Sequence, residues 1–151
     1  MTTPVFGQNG IMVGSIAMTE QLKTARQWHV LLVDDNAELA QTYRELLEAF
    51  DYRVTTAGDG QPALKFIVEN EVDAIVCDLS MPHMEGDEFY EAARRARPEV
   101  ARRFIFLTGH MNNPRFDPFL KRENLRVLYK PVPMANLLEA LKTLLAETAG
   151  K

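Results

Sequence analysis

The chain has 151 residues, with 17 basic against 21 acidic side chains, a formal charge of −4 and a pI near 5.4. That length suits one domain with a real core. A content of 46% hydrophobic and 25% charged residues excludes wholesale disorder, and the acidic balance, with no polybasic face, speaks against direct nucleic-acid binding. The single cysteine, Cys77, excludes an internal disulfide and a cysteine metal cluster.

Met1 to Thr19 carries no charge but is broken by Pro4, Gly7, Gly10 and Gly14. With no cationic start and no long apolar run, it is neither a secretory leader nor a membrane span. A soluble, cytoplasmic protein that does not engage membranes is the expectation. Residues 1–27 read as a flexible or partly helical extension, with an apolar patch from Ile11 to Met18 and Thr19 placed to cap a helical turn. Residues 28–148 read as one domain, and 149–151 as a tail.

His29 to Val33 is an apolar run ending in Asp34-Asp35, the pattern of a strand buried on both faces. Leu39, Tyr43, Leu46, Leu47 and Phe50 then recur at helical spacing, with Glu38, Arg44, Glu45 and Glu48 mostly outward. Arg53 to Thr56 is a short β-branched strand. Asp59-Gly60 makes a turn, and Gln61 to Asn70 a helix with Pro62 tolerated near its start. Ala74 to Cys77 is a third strand, ending at Asp78. A loop with Met81-Pro82 and Gly86 leads into a helix from Asp87 to Ala96.

Phe104 to Leu107 is the fourth strand and ends at Thr108. Asn112-Asn113-Pro114 and Asp117-Pro118 leave room only for a short fourth helix near Pro118 to Arg122. Phe116 and Phe119 are weak candidates for exposed contact residues. Arg126 to Tyr129 is the fifth strand, ending at Lys130-Pro131. The last helix carries Met134, Leu137, Leu138, Leu141, Leu144 and Leu145 on one face, a stripe that packs as core and could extend to a partner surface or a dimer contact.

Five strands alternating with five helices imply an α/β fold, a single doubly wound parallel sheet with flavodoxin-like strand order 2-1-3-4-5. Asp34 and Asp35, Asp78, Thr108 and Lys130 all follow strand ends. Parallel strands bring those ends to one edge, where open α/β sheets bind ligands. Taken singly, each residue has a plainer role: Asp34 or Asp35 as a helix cap, Asp78 as a strand-end cap, Thr108 as a strand threonine, Lys130 as surface charge. Their joint placement favours a site. Three carboxylates repel unless one keeps a proton or a cation neutralises them, and oxygen ligands without cysteine favour Mg²⁺. With a lysine and a hydroxyl added, the group suits a phosphoryl moiety transferred onto an aspartate nucleophile, Asp78.

These residues bear a family resemblance. Leu32-Val-Asp-Asp-Asn36, Val76-Cys-Asp-Leu-Ser-Met-Pro82 with Gly86, Phe106-Leu-Thr-Gly109 and Tyr129-Lys-Pro131 resemble the receiver domain of two-component response regulators, over about His29 to Ala146. The resemblance implies Asp78 as phosphoacceptor, and Asp35 as a direct Mg²⁺ ligand with Asp34 assisting. Asp78 and the Ser80 backbone carbonyl complete the metal's protein ligands. Thr108 and Lys130 would bind the phosphoryl group, the Lys130–Pro131 bond would be cis, and a histidine kinase or phosphotransfer protein would be the donor. The domain would be a signalling receiver catalysing only its own phosphorylation and dephosphorylation, and acting on a downstream protein target. Ser80 and His110 would tune phosphate lifetime.

The chain departs from the family pattern at Val127, where the switch aromatic usually stands; the aromatic here is Tyr129. Thr108-Gly109-His110 with Phe119-Leu120 looks more like receivers of hybrid kinases than like those of transcription factors. With the final helix ending near Ala146, output by binding, as a relay intermediate, phosphate sink or docking regulator, is the expectation for this chain taken alone.

Other functions fit less well. A haloacid dehalogenase-type phosphatase needs an aspartate two residues after its nucleophile, where Ser80 or Asn36 stands. A flavodoxin-like electron carrier needs a phosphate loop where this chain has two acids. A receiver-fold interaction module working without phosphorylation remains the rival reading. Cys77 is expected to be a buried core thiol, and His29, His83 and His110 surface or loop residues rather than ligands.

Overall fold

The structure, a computed structural model, describes residues 27–109 and 112–149. The expectations for Ile11–Met18, Thr19 and His110 lie outside the described residues.

Five parallel strands, β1 (His29–Val33), β2 (Arg53–Ala57), β3 (Ala74–Asp78), β4 (Phe104–Thr108) and β5 (Arg126–Tyr129), form one sheet in the order β2-β1-β3-β4-β5. Between and after them run α1 (Ala37–Ala49), α2 (Gly60–Glu69), α3 (Gly86–Ala96), a 3₁₀ turn (Pro98–Arg103), α4 (Asp117–Glu123) and α5 (Met134–Thr148). Every residue of β1, β3 and β4 is buried, as a centre covered on both faces requires.

Alternation along the strands builds two cores. Leu31, Val33, Ile75 and Phe106 pack with Ile67 of α2 and Phe89 of α3. Val30, Leu32, Val76 and Ile105 pack with Leu47 of α1 and Leu137 and Leu141 of α5. Cys77 is fully buried in the first of these.

Three local expectations are corrected. Leu46 and Phe50 are exposed: α1 buries the stripe Ala40, Tyr43 and Leu47, Leu46 points about 100° away from Leu47 around the helix, and Phe50, 57% exposed, is the C-cap where the helical path ends. Phe116 and Phe119 are buried rather than exposed; Phe119 meets Tyr90 and Phe106 with ring centroids 5.4 and 5.7 Å apart. His29 is a buried strand residue, its ring edge-on to Phe66. The 3₁₀ turn was not anticipated; Pro98 opens it and Val100 anchors it in the core.

Candidate functional site

At the carboxyl edge of the sheet the chain leaves β1 through Asp34, whose N–H donates to the Ala57 carbonyl (3.0 Å). The cap of α1 is Asn36, whose Oδ1 accepts from the Leu39 N–H (3.0 Å), so neither aspartate is consumed as helix cap. Asp34 Oδ1 accepts from the Asn36 N–H (2.8 Å), which turns the side chain inward. Asp34 is buried and Asp35 exposed.

Asp78 ends β3 beside them, buried. One carboxylate oxygen from each of Asp34, Asp35 and Asp78 lies within 4.8 Å of the others. Lys130 follows β5 with its Nζ 3.2 Å from Asp78 Oδ2 and 3.6 Å from Asp34 Oδ2. Its backbone is held by an N–H donated to the Thr108 carbonyl (2.7 Å), and the Lys130–Pro131 bond is cis. Thr108 is buried at the end of β4, in register with Tyr129. Ser80 is exposed in the loop after Asp78. Tyr129 is exposed while Val127 packs on the core, so the aromatic does not occupy the position that the family's pattern gives it.

One residue positions this loop more tightly than its motif suggests. A Cβ on Gly86 would stand 2.6 Å from the Asp78 carbonyl oxygen and 2.9 Å from Leu79 Cα, backbone atoms that cannot swing aside. The Gly86 N–H donates to the Leu79 carbonyl (2.8 Å), so α3 starts in contact with the end of β3.

Electrostatics sets the site apart. Burial pushes the Asp78 carboxyl upward, Lys130 pulls it back, and Asp34 and Asp35 push it up again. Burial works against the Lys130 ammonium, but Asp78 and Asp34 outweigh it and hold its pKa above the ordinary lysine value. Burial drives the Cys77 thiol well up, with Asp78 and Asp34 adding to it, so no reactive thiolate borders the site. Three carboxylates and one ammonium leave a negative excess. Asp34 Oδ2 is buried with no hydrogen-bond donor. A buried carboxylate oxygen that accepts no hydrogen bond, with the Lys130 ammonium 3.6 Å away and two further carboxylates converging on it, is what a hard divalent cation would satisfy. A hollow of about 250 Å³ lined by Asp34, Asp35, Gln41 and Thr56 opens beside it.

The sequence profile of the response regulator receiver domain matches residues 30–142. The chain belongs to that family. It is similar to a response regulator receiver protein of Anaeromyxobacter sp. (strain Fw109-5), 33% identical over 109 residues, which is 72% of this chain and 45% of that one. It is 28% identical over 125 residues to the transcriptional regulatory protein ZraR of Klebsiella oxytoca, covering 83% of this chain and 28% of that one. A CheY-like receiver domain protein from Methanospirillum hungatei JF-1 superposes with TM-score 0.76 at 27% identity, covering 83% of this chain and 98% of that one. The chain spans less than half the length of these two sequence relatives.

The domain is thus a receiver of two-component signalling, with the doubly wound fold of the CheY-like proteins. Receiver domains generally bind Mg²⁺ in an acidic pocket, and this one has the acidic cluster. Among the described residues no helix is long and apolar enough to cross a membrane.

Proposed function

We propose that residues 28–148 are a phosphoacceptor domain in which Asp78 takes a phosphoryl group from the phosphohistidine of a histidine kinase or phosphotransfer protein. A carboxylate oxygen of Asp78 forms the new bond to phosphorus as the bond to the donor imidazole nitrogen breaks. The observation that carries this reading is the Lys130 ammonium between Asp78 and Asp34, with three carboxylates converging on one point.

Asp34, Asp35, Asp78 and the Ser80 carbonyl would hold Mg²⁺, which supplies charge neutralisation between acceptor and phosphoryl oxygens. Lys130 binds a phosphoryl oxygen in place of part of its contact with Asp78. The Thr108 hydroxyl donates to another, and the loop after it follows. Signal then passes to a protein target in the cytoplasm by change of shape.

The test is the intact mass of the protein after incubation with Mg²⁺ and acetyl phosphate. The expected result is a gain of one phosphoryl group, lost with EDTA and in Asp78→Ala. That variant keeps its fold, since it relieves carboxylate repulsion. Full labelling of Asp78→Ala would sink the assignment.

A further inference from the structure

A second charged cluster lies beside the site and takes no part in it. Arg115 stands in the loop between β4 and α4, on the chain that leaves Thr108. Its Nη1 donates to Asp87 Oδ2 (2.7 Å), and its Nη2 to Glu85 Oε1 (2.9 Å) and Asp87 Oδ1 (3.3 Å). The fork on Asp87 is the bidentate geometry that gives a guanidinium–carboxylate pair its directionality. Both ends of this contact are anchored. On the carboxylate side, Glu85 and Glu88 close the N-terminus of α3 as a capping box, and Gly86 between Glu85 and Asp87 lies against the Asp78 carbonyl. On the arginine side, Asn113 Oδ1 accepts from the Arg115 N–H (2.8 Å), the guanidinium lies 4.8 Å over the Phe116 ring, and Phe116 is buried in the core.

We propose that Arg115 is a positioning residue for the acceptor site, clamping the loop after Thr108 to the N-terminus of α3, and that phosphoryl acceptance releases this clamp. The inference rests on Asp78 being the acceptor. When the Thr108 hydroxyl turns to a phosphoryl group on Asp78, the chain that follows is drawn with it. Asp87 and Glu85 flank Gly86, which is bonded to the Leu79 carbonyl and lies against that of Asp78, so they stay with the end of β3. A contact that is made in one state and lost in the other shifts the balance between them by its own strength. Arg115 is 48% exposed, so that strength is modest, a factor of about two to five.

The experiment compares the full chain with Arg115→Gln, Arg115→Lys and Asp87→Asn. Backbone amide exchange over residues 112–120 is followed without metal, and the apparent affinity for beryllofluoride is measured with Mg²⁺. Arg115→Gln and Asp87→Asn are expected to speed exchange and to raise beryllofluoride affinity about two- to five-fold. Arg115→Lys restores part of the wild-type behaviour, because an ammonium keeps the charge and lacks the fork. Unchanged exchange overturns the clamp. So does faster exchange with unchanged or weaker affinity, which a merely structural ion pair would give. A wild-type protein that takes up no beryllofluoride in Mg²⁺ fails differently: it removes the acceptor reading first, and the clamp with it.

Discussion

The two ends of the sheet handle charge in opposite ways. At the end where the strands begin, charged groups find partners. The Arg97 guanidinium donates to the carbonyls of Ile67 (2.9 Å) and Asn70 (3.2 Å) and pairs with Glu71 and Glu99. Arg103 donates to the Val72 carbonyl (2.9 Å). The hollow of about 590 Å³ at that end is bordered by Arg126 and Glu147, already paired with each other. At the end where the strands finish, three carboxylates converge, two of them share one ammonium, and Asp34 Oδ2 accepts no hydrogen bond. The arginines Arg97, Arg103 and Arg126 are met at one end, while carboxylates outnumber cations at the other. Local rules are broken where a ligand is to complete the arrangement.

The sharpest way to break this contrast is Lys130→Ala. Lys130 is the ammonium against both Asp78 and Asp34, and a charge-assisted hydrogen bond is worth roughly 1.5–3 kcal/mol. Beryllofluoride affinity is expected to fall about ten- to hundred-fold while Mg²⁺ binding, carried by the carboxylates, persists. Calorimetric titration of each ligand checks this. An unchanged response to beryllofluoride would contradict the role given to Lys130.

Gly86→Ala probes how the loop after Asp78 is held. Alanine favours a helix over glycine by up to about 1 kcal/mol. Here its methyl would meet the Asp78 carbonyl oxygen and Leu79 Cα inside van der Waals distance. Displacing backbone costs about 1–3 kcal/mol, so the clash wins and the net loss is on the order of 1–2 kcal/mol. Urea unfolding measures it; a gain in stability would show that the loop yields freely.

Arg97→Ala tests the opposite end. It strips hydrogen bonds from two backbone carbonyls and two carboxylates. Neighbouring water recovers part of that loss, leaving a cost of about 1–2 kcal/mol in urea unfolding. Mg²⁺ affinity is expected to stay unchanged. A shift in metal binding would mean that the two ends are coupled and the contrast between them is false.

Much of this was legible in the sequence because apolar runs that stop at a polar residue mark strands and their carboxyl ends together. Val33–Asp34, Cys77–Asp78 and Leu107–Thr108 carried both the sheet order and the residues gathered at its edge. What stayed hidden depends on contacts between distant segments. Periodicity groups Leu46 and Phe50 with Leu47, and only the packed helix shows which of them faces the core. The Phe116 and Phe119 side chains read as exposed aromatics until Tyr90 and Phe106 are seen to receive Phe119. Arg115 meets acids 28 and 30 residues away, a pairing that no spacing rule announces.

His29 offers the smallest effect and the finest test of charge satisfaction at the first end. Its Nδ1 lies 3.0 Å from the Glu71 carbonyl and its Nε2 2.8 Å from Thr55 Oγ1, and its backbone N–H donates to Asp73 Oδ2 (2.8 Å). Burial lowers its pKa below the ordinary 6.5, and Arg53 lowers it further, against the Glu71 carbonyl and Asp73, which raise it. The neutral ring is therefore the native form near neutrality. The unfolded chain takes up the proton first as pH falls through 6.5, so it then binds more protons than the native state and stability declines. The decline ends once the native ring is protonated as well. Above 6.5 this contribution is constant. Denaturant midpoints measured from pH 8 downward should show this component in the wild type and lose it in His29→Asn. An equal slope in the two proteins would mean that the imidazole takes up its proton in the native state without penalty, and that this end of the sheet tolerates an added charge after all.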